Sequence, residues 1–338
     1  MKKYCIVIPL SIFLSLLILT MFIFSKIYQV YQDPIKTKNE IIKGINDLES
    51  HILSVMTNYN IHRVSVAIIA NSELIYKKGF NMKSSDTMQA ASISKMITAY
   101  SVLKLVESGK LELDTLLQKY EAKPYIPKQR FKNTITFRHV LNHTSGLAND
   151  ISGTDRQIYF KPGSRFSYSG GGFSYLQNII ENLSGAPFDR YIESQVLKPL
   201  NMNSSSFSYI AEGNTRPWAG ASLVSTAPDL AKFLIELMNP QHIKAELMSK
   251  MINSTVKVNE QVSWGLGVGI QHSYIEDAIW HWGNNDSRYH TLVIIYKKSK
   301  TGIVIMVDGL AGLIISKDIA HKAIGGPHFY YWYGIPYI

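Results

Sequence analysis

The chain has 338 residues, of which 46% are hydrophobic and 18% are charged, and its formal net charge is +10. This composition excludes a mainly disordered protein and allows one large domain or two small ones. The lysines are scattered and form no arginine-rich stripe, so we do not expect nucleic-acid binding. A basic surface fits an anionic membrane or cell-wall polymer equally well. Cys5 is the only cysteine and there is no HExxH pattern, so we expect no disulfide, no metal site and no cofactor.

An apolar segment runs from Cys5 to Phe24 and is preceded by two lysines. About 20 apolar residues are enough to cross a bilayer as a helix. No small-x-small cleavage site follows, and Cys5 precedes the segment, so it is not placed as a lipoprotein cysteine. The pattern predicts an uncleaved signal-anchor over residues 1–30, with residues 31–338 outside the cytoplasm. Cleavage of a signal peptide is the alternative.

The first half of the predicted domain is a helix, a hairpin and a second helix. Apolar residues at helical spacing predict a helix over residues 40–59, and two β-rich segments at 64–69 and 74–76 predict a hairpin. A second helix is expected from Ser92 to Glu107. The middle section is mostly helical, with helices expected at 137–142, at 173–183, from Pro187 onward, and after a capping box at Thr226–Asp229.

The C-terminal part returns to strands, at 264–271, 278–282, 291–296 and 303–307, and closes with a helix at 314–323. This order predicts an α+β fold in which an antiparallel sheet is flanked by N- and C-terminal helices. We expect an α/β lobe at about 38–112 and 255–338, with a mostly helical inserted subdomain at about 113–254. A cleft between two such lobes is a common place for a functional site.

Ser92-Ile-Ser-Lys95 places a serine and a lysine on one face of the predicted helix start. A serine hydroxyl needs a base to become a nucleophile, and a buried lysine shifts its pKa readily. The same spacing recurs at Ser101–Lys104, inside the helix, and at Ser254–Lys257, in a polar stretch. A helix-capping serine beside a solvated lysine is therefore the ordinary alternative for Ser92 and Lys95.

Further segments follow Ser92–Lys95 in a fixed order. They are Leu105–Asp114, Ile135–Leu147, Lys161–Gly172 and His281–Gly283. Together with the serine–lysine motif they resemble the serine β-lactamase and penicillin-binding protein superfamily, within it the class C β-lactamase-like branch, from about residue 60 to 325. This resemblance implies the β-lactamase/transpeptidase-like form of the α+β fold.

The resemblance also implies catalytic roles for three residues. Ser92 would be the nucleophile, Lys95 its base, and Tyr168 the residue that carries protons to the leaving group and from the deacylating water. A tyrosine can do this when neighbouring positive charge lowers its pKa, and we expect Lys95 and a residue of the third motif to have that effect. A packed aromatic residue before a glycine turn is the alternative for Tyr168.

The third motif is expected at His281-Trp282-Gly283, on a strand that two more strands follow. The literal Lys300-Thr301-Gly302 is rejected because it lies in a hairpin turn. By the resemblance, His281 would supply a positive or hydrogen-bonding group that titrates near neutral pH. Trp282 would lie beside the substrate, and Gly283 would let the substrate lie close to the strand.

Other substrate contacts are implied in the same way. The backbone N–H groups of Ser92 and Asn284 would form an oxyanion hole. Gly170 stands where relatives have an asparagine whose amide holds the acyl-side amide of the substrate, so the substrate-binding site differs there. Arg288 lies in a stretch that departs from the family pattern; it is either a carboxylate contact or a surface arginine.

These expectations combine into a membrane-anchored, extracytoplasmic serine hydrolase that works through an acyl-enzyme on Ser92. The expected substrates are cell-wall-derived peptides, amides or esters such as D-alanyl compounds, and β-lactams. Residues 5–24 would contact the membrane, and we expect a monomer. The alternative is a catalytically silent protein on the same fold that binds envelope polymer. The aromatic stretch Phe329–Tyr337 is expected either to pack on the domain or to touch the membrane interface.

Overall fold

The computed structural model describes residues 33–150, 152–327 and 335–337. Its strands are β1 (Arg63–Ala70), β2 (Glu73–Phe80), β3 (Met88–Ala91), β4 (Ser206–Phe207), β5 (Leu223–Ser225), β6 (Val256–Lys257), β7 (Val262–Trp264), β8 (Gly269–Gln271), β9 (Ala278–Asn285), β10 (Tyr289–Tyr296) and β11 (Thr301–Asp308). Eight of them form an antiparallel sheet in the order β2-β1-β11-β10-β9-β8-β7-β6, and β3-β5-β4 form a smaller sheet. The α+β class is confirmed.

Helices cover both faces of the large sheet. They are α1 (Lys38–Lys43), α2 (Ile45–Asn58), α3 (Ser94–Glu107), α4 (Phe137–Leu141), α5 (Gly170–Ser184), α6 (Phe188–Ile192), α7 (Ala227–Met238), α8 (Ala245–Asn253) and α9 (Gly312–Ile324). Short 3-10 turns occur at Leu117–Tyr120 and Lys132–Thr134, and a π-helical turn follows α6 at Glu193–Leu197.

The core has two layers because side chains along a strand point alternately to opposite faces of the sheet. One layer packs the sheet against α2 and α9, and it holds Ile52, Ile305 and Ile319. The other packs it against α3 and α7, and it holds Ile97 and Phe233. Strand β11 is buried along its whole length, since helices lie on both of its faces. The predicted flanking of the sheet by N- and C-terminal helices is confirmed.

Three local predictions were wrong in detail. The helix expected over residues 40–59 is two helices that meet at Gly44. The strand expected at 264–271 is a hairpin of β7 and β8, because the Gly265 N–H donates to the Val268 carbonyl oxygen at 2.8 Å and Gly267 adopts a φ of +76°. A one-strand prediction overlooked these two glycines, which favour a turn.

The third correction concerns the start of α7. The Thr226 side chain caps the helix by accepting a hydrogen bond from the Asp229 N–H at 3.1 Å. The Asp229 carboxylate, however, accepts from the backbone N–H of Ser204 and from the hydroxyl of Ser205. It therefore does not return a bond to the cap, and the predicted capping box is half formed.

No helix within the described ranges is long and apolar enough to cross a membrane. The anchor predicted at residues 5–24 lies outside those ranges, as does most of the aromatic stretch Phe329–Tyr337.

Candidate active site

Ser92 lies in a turn between β3 and α3, where it is half-buried. The helix begins at Ser94, so the expected start at Ser92 was two residues too early. Ala91 adopts a left-handed φ of 49°, and the Ser94 hydroxyl donates to the Ala91 carbonyl oxygen at 2.5 Å. This tight turn leaves the Ser92 hydroxyl accessible while the residues after it, from Ile93 onward, are buried.

Lys95 lies at the bottom of the site, with only 1% of its surface exposed. Its Nζ is 3.1 Å from the Ser92 Oγ and donates to the Gly220 carbonyl oxygen at 2.8 Å. Burial lowers the pKa of Lys95 to about 7, because a charged ammonium loses its hydration there. At neutral pH a large fraction of this amine is therefore unprotonated and able to accept the Ser92 proton.

Tyr168 is buried beside this pair, with its ring centroid 4.9 Å from the Lys95 Nζ. Burial raises the pKa of Tyr168, and the nearby Ser92 hydroxyl only partly opposes the rise. The expectation that positive charge lowers this pKa was wrong. The loss of phenolate hydration dominates, and an amine with a pKa near 7 carries only part of a positive charge. Tyr168 is thus a neutral phenol that can donate a proton.

His281 is fully buried on β9, and its ring centroid lies 6.3 Å from that of Tyr168. Its Nδ1 is 2.6 Å from the Trp282 carbonyl oxygen, which can only accept, so Nδ1 carries the proton and Nε2 is an acceptor. Burial, aided by Lys95, lowers the pKa of His281 to about 3. Of the two expectations for His281, the positive group that titrates near neutral pH was wrong, because this imidazole is neutral throughout that range, and the hydrogen-bonding group remains.

The rest of the third motif borders the same space. Strand β8 pairs with β9 only from Ala278 to Trp280, so β8 leaves the following part of β9 uncovered. Trp282 is half-buried there, with its ring 5.3 Å from that of Tyr168, and Asn284 is exposed. At Gly283 a Cβ atom would clash with the backbone of β3, which is a reason for glycine that the sequence did not reveal.

His143 was not among the predicted site residues, yet it packs directly on Tyr168. The two ring centroids are 4.3 Å apart, and the His143 Nδ1 accepts a hydrogen bond from the Ser169 N–H at 3.0 Å. Burial lowers the pKa of His143 well below its ordinary value, and Lys95 and His281 add to the effect. The one sequence signal was its place in the segment Ile135–Leu147.

Comparison with known proteins agrees with this geometry. The chain matches the Beta-lactamase family over residues 48–313. It belongs to the Beta-lactamase family. The wider group is the β-lactamase/transpeptidase-like superfamily of serine hydrolases.

Protein flp of Staphylococcus aureus is 24% identical over 72% of this chain and 59% of its own length. The chain thus spans about 59% of the length of that curated relative. The octameric penicillin-binding protein homologue from Pyrococcus abyssi superposes with a TM-score of 0.69 and 25% identity, over 83% of this chain and 79% of that one. A D-stereospecific amidohydrolase from Streptomyces shares the fold, with a TM-score of 0.71 and 18% identity, over 82% of this chain and 98% of its own.

Gly170 stands where relatives have the asparagine of the second motif. It is buried at the start of α5. Its N–H donates to the Oδ1 of Asn149 at 3.0 Å. Asn149 itself is exposed. A carboxamide thus lies next to Gly170, and motif matching missed it because the two residues are 21 positions apart.

The structure also shows the surroundings of Arg288 and Lys300, two residues that the sequence analysis weighed. Arg288 places its Nε 2.7 Å from the Asp308 Oδ1, within an ion pair. This supports the surface-arginine alternative. Lys300 is exposed in the turn between β10 and β11, but Thr301 and Gly302 are the first two residues of β11. The expectation that Lys300-Thr301-Gly302 lies in a hairpin turn therefore holds for Lys300 alone.

Proposed function

We propose that this chain is a serine hydrolase that forms an acyl-enzyme on Ser92, outside the cytoplasm and anchored by residues 5–24. The observation that carries the proposal is the 3.1 Å distance between the Lys95 Nζ and the Ser92 Oγ. A lysine with a pKa of about 7 at that distance is a competent general base. The proposed cleft lies between an α/β lobe (38–112 and 255–338), which supplies Ser92 and His281, and an insertion (113–254), which supplies Tyr168.

In the acylation step, Lys95 takes the proton of Ser92, and the Ser92 oxygen bonds to the carbonyl carbon of the substrate. The negative charge on the carbonyl oxygen is stabilised by the backbone N–H groups of Ser92 and Asn284. When the bond to the leaving nitrogen or oxygen breaks, Tyr168 gives that atom its proton and is reprotonated by Lys95. The leaving group departs as a neutral amine or alcohol, and Lys95 is neutral again.

Hydrolysis of the acyl-enzyme reverses these roles. A water molecule attacks the ester carbon, its proton passes through Tyr168 to Lys95, and the Ser92 oxygen recovers a proton as the acid leaves. His281 is proposed to accept a hydrogen bond at its Nε2, which has no partner among the described residues. A neutral acceptor suits an N–H or O–H group of the substrate rather than a carboxylate.

The proposed substrates are cell-envelope D-alanyl peptides, amides or esters, and β-lactams. Two considerations support this choice: the net charge of +10, which favours an anionic envelope, and the fold shared with the Streptomyces D-stereospecific amidohydrolase. Asn149, an exposed residue beside Gly170, is proposed to bind the acyl-side amide through its Nδ2 group in place of the family's asparagine.

The proposal is tested by turnover with four compounds: a D-alanyl-D-alanine peptide, its L-alanyl isomer, a D-alanyl ester and a penicillin. We expect hydrolysis of D-alanyl compounds in preference to the L-isomer, and Ser92→Ala to abolish it. Hydrolysis that survives in Ser92→Ala would refute the acyl-enzyme. Equal turnover of the D- and L-peptides would refute the substrate class alone.

A further inference from the structure

The C-terminal segment Ile335–Tyr337 lies against the second motif. The backbone N–H of Tyr168 donates to the carbonyl oxygen of Pro336 at 2.7 Å. Tyr168 and Tyr337 also form a parallel β-bridge. Ile335 is only 6% exposed and packs in the same hydrophobic cluster as Tyr168. Of the two expectations for the aromatic stretch, packing on the domain therefore holds for its described end.

The backbone around Tyr168 is held along both of its edges. On one edge, Ser167 N–H donates to the His143 carbonyl oxygen at 2.8 Å, and Ser169 N–H donates to the His143 Nδ1 at 3.0 Å. On the other edge, the Tyr168 N–H donates to the carbonyl oxygen of Pro336. The backbone of Ser167–Ser169 thus lies between His143 and the C-terminal segment and is hydrogen-bonded to both.

The C-terminal region is also hydrogen-bonded to the domain before Ile335–Tyr337, directly after α9. After α9, the carbonyl oxygen of Pro327 accepts hydrogen bonds from the Gln271 side chain at 2.5 Å and from the Tyr296 hydroxyl at 3.2 Å. Gly326 N–H donates to the Pro34 carbonyl oxygen at 3.2 Å. The C-terminal region is therefore bound to the domain at two separate points. The first is Gly326–Pro327, and the second is Ile335–Tyr337, which is bound to the second motif at Tyr168.

The side chain of Tyr168 needs this support because its hydroxyl makes no hydrogen bond of ordinary geometry with any described residue. Its position over Lys95 depends on ring packing and on the backbone. A group that transfers a proton must lie within hydrogen-bond reach of both partners, and a displacement of about 1 Å can reduce the rate about 100-fold.

We propose that Ile335–Tyr337 is a positioning segment that holds Tyr168 for proton transfer to the leaving group. The inference rests on the proposed function, since it assigns a supporting segment to the same tyrosine. It has a specific kinetic consequence. A displaced Tyr168 should hinder only those reactions whose leaving group needs a proton.

The test compares acetylation of Ser92 by two esters, ethyl acetate and 4-nitrophenyl acetate, in the full chain. Ethoxide is a strong base and needs a proton as it leaves, whereas 4-nitrophenolate departs readily as an anion. The variants are Ile335→Ala and the conservative Ile335→Val. Ile41→Ala is the matched control, because Ile41 is 3% exposed in the same hydrophobic cluster but belongs to α1.

We expect Ile335→Ala to slow acetylation by ethyl acetate about 10-fold or more beyond any effect on 4-nitrophenyl acetate. Ile335→Val and Ile41→Ala should leave the ratio of the two rates unchanged. A parallel change with both esters, no change, or the same ratio shift in Ile41→Ala would overturn the positioning role. No acetylation of Ser92 in the unaltered protein would refute the proposed function as well.

Discussion

The Nζ of Lys95 lies 2.8 Å from the carbonyl oxygen of Gly220, on the floor of the site. This contact occupies one N–H of the amine and leaves the nitrogen facing the Ser92 hydroxyl at 3.1 Å. A Cβ atom at residue 220 would lie 3.2 Å from the same nitrogen, so glycine lets the backbone approach closely. The proposed base is therefore held in place by a main-chain atom from a distant part of the sequence.

The rate of Ser92 acylation should depend on pH through Lys95. The amine acts as a base only when it is unprotonated, so the rate should rise as pH rises through about 7 and level off above it. Below that value the rise approaches about tenfold per pH unit, since the unprotonated fraction changes by that factor.

Histidine titration should add no further step near pH 6.5, because the pKa of His281 is lowered to about 3 and that of His143 lies well below its ordinary value. Stopped-flow acylation by 4-nitrophenyl acetate from pH 5 to 9, on protein shown to remain folded, measures the profile. A rate that falls on passing pH 7 upward, or that does not vary, would contradict the role of Lys95 as base.

The free energy of unfolding should also depend on pH through Lys95. Between pH 7 and about 10.4, Lys95 is protonated in the unfolded chain and unprotonated in the folded chain. The free energy of unfolding therefore increases as pH rises through this range. The gain is at most about 1.4 kcal/mol per pH unit for one proton. Below pH 7 both states are protonated, and the gain is absent.

Comparison with Lys95→Met isolates this effect, because all other titrating groups are common to the two proteins. From pH 7 to pH 9 the unaltered protein should gain about 2 kcal/mol in unfolding free energy relative to Lys95→Met. Denaturant titrations at these pH values measure the difference. A difference that stays constant would mean that Lys95 keeps its proton in the folded state throughout this range.

Asn149 should contribute to substrate binding through its Nδ2 group. Asn149→Asp keeps an oxygen that can accept from the Gly170 N–H but removes the donor, whereas Asn149→Ala removes both. Loss of one substrate hydrogen bond, about 1.4 kcal/mol, should raise the KM for an amide substrate about tenfold in both variants. If Asn149→Asp matches the unaltered protein, the side chain only supports Gly170.

Much of the site was predictable from the order of motifs. Ser92, Lys95, Tyr168 and His281 come from three separate parts of the chain, and the structure brings them into one cluster. The turn expected at Lys300-Thr301-Gly302 was placed less well, since Thr301 and Gly302 belong to β11. Motif order predicts the first four residues because the spacing of the motifs is recorded in the sequence itself.

Protonation states were not predictable, because they depend on burial that only the tertiary structure creates. The sequence suggested a tyrosine with a lowered pKa and a histidine titrating near neutrality. The structure instead raises the pKa of Tyr168 and lowers that of His281 to about 3. Loss of hydration is the main cause in both cases, and for His281 the positive charge of Lys95 lowers the pKa further.

Supporting residues were missed for a different reason. Gly220 acts through its carbonyl oxygen, which leaves no side-chain signature. His143, Asn149 and Pro336 touch the second motif from loops that are distant in sequence. Each contact follows from how the chain packs, and no local spacing encodes it.

The most direct test of the central claim is intact-mass analysis after exposure to a fluorophosphonate and, separately, to a penicillin. We predict a single adduct mapped to Ser92, absent in Ser92→Ala and formed at least about 100-fold more slowly in Lys95→Ala. Ser101→Ala and Lys104→Ala are matched controls from the same helix and the same spacing, and both should label normally. An adduct that persists in Ser92→Ala, or no adduct with either reagent on folded protein, would contradict the account and favour a binding protein.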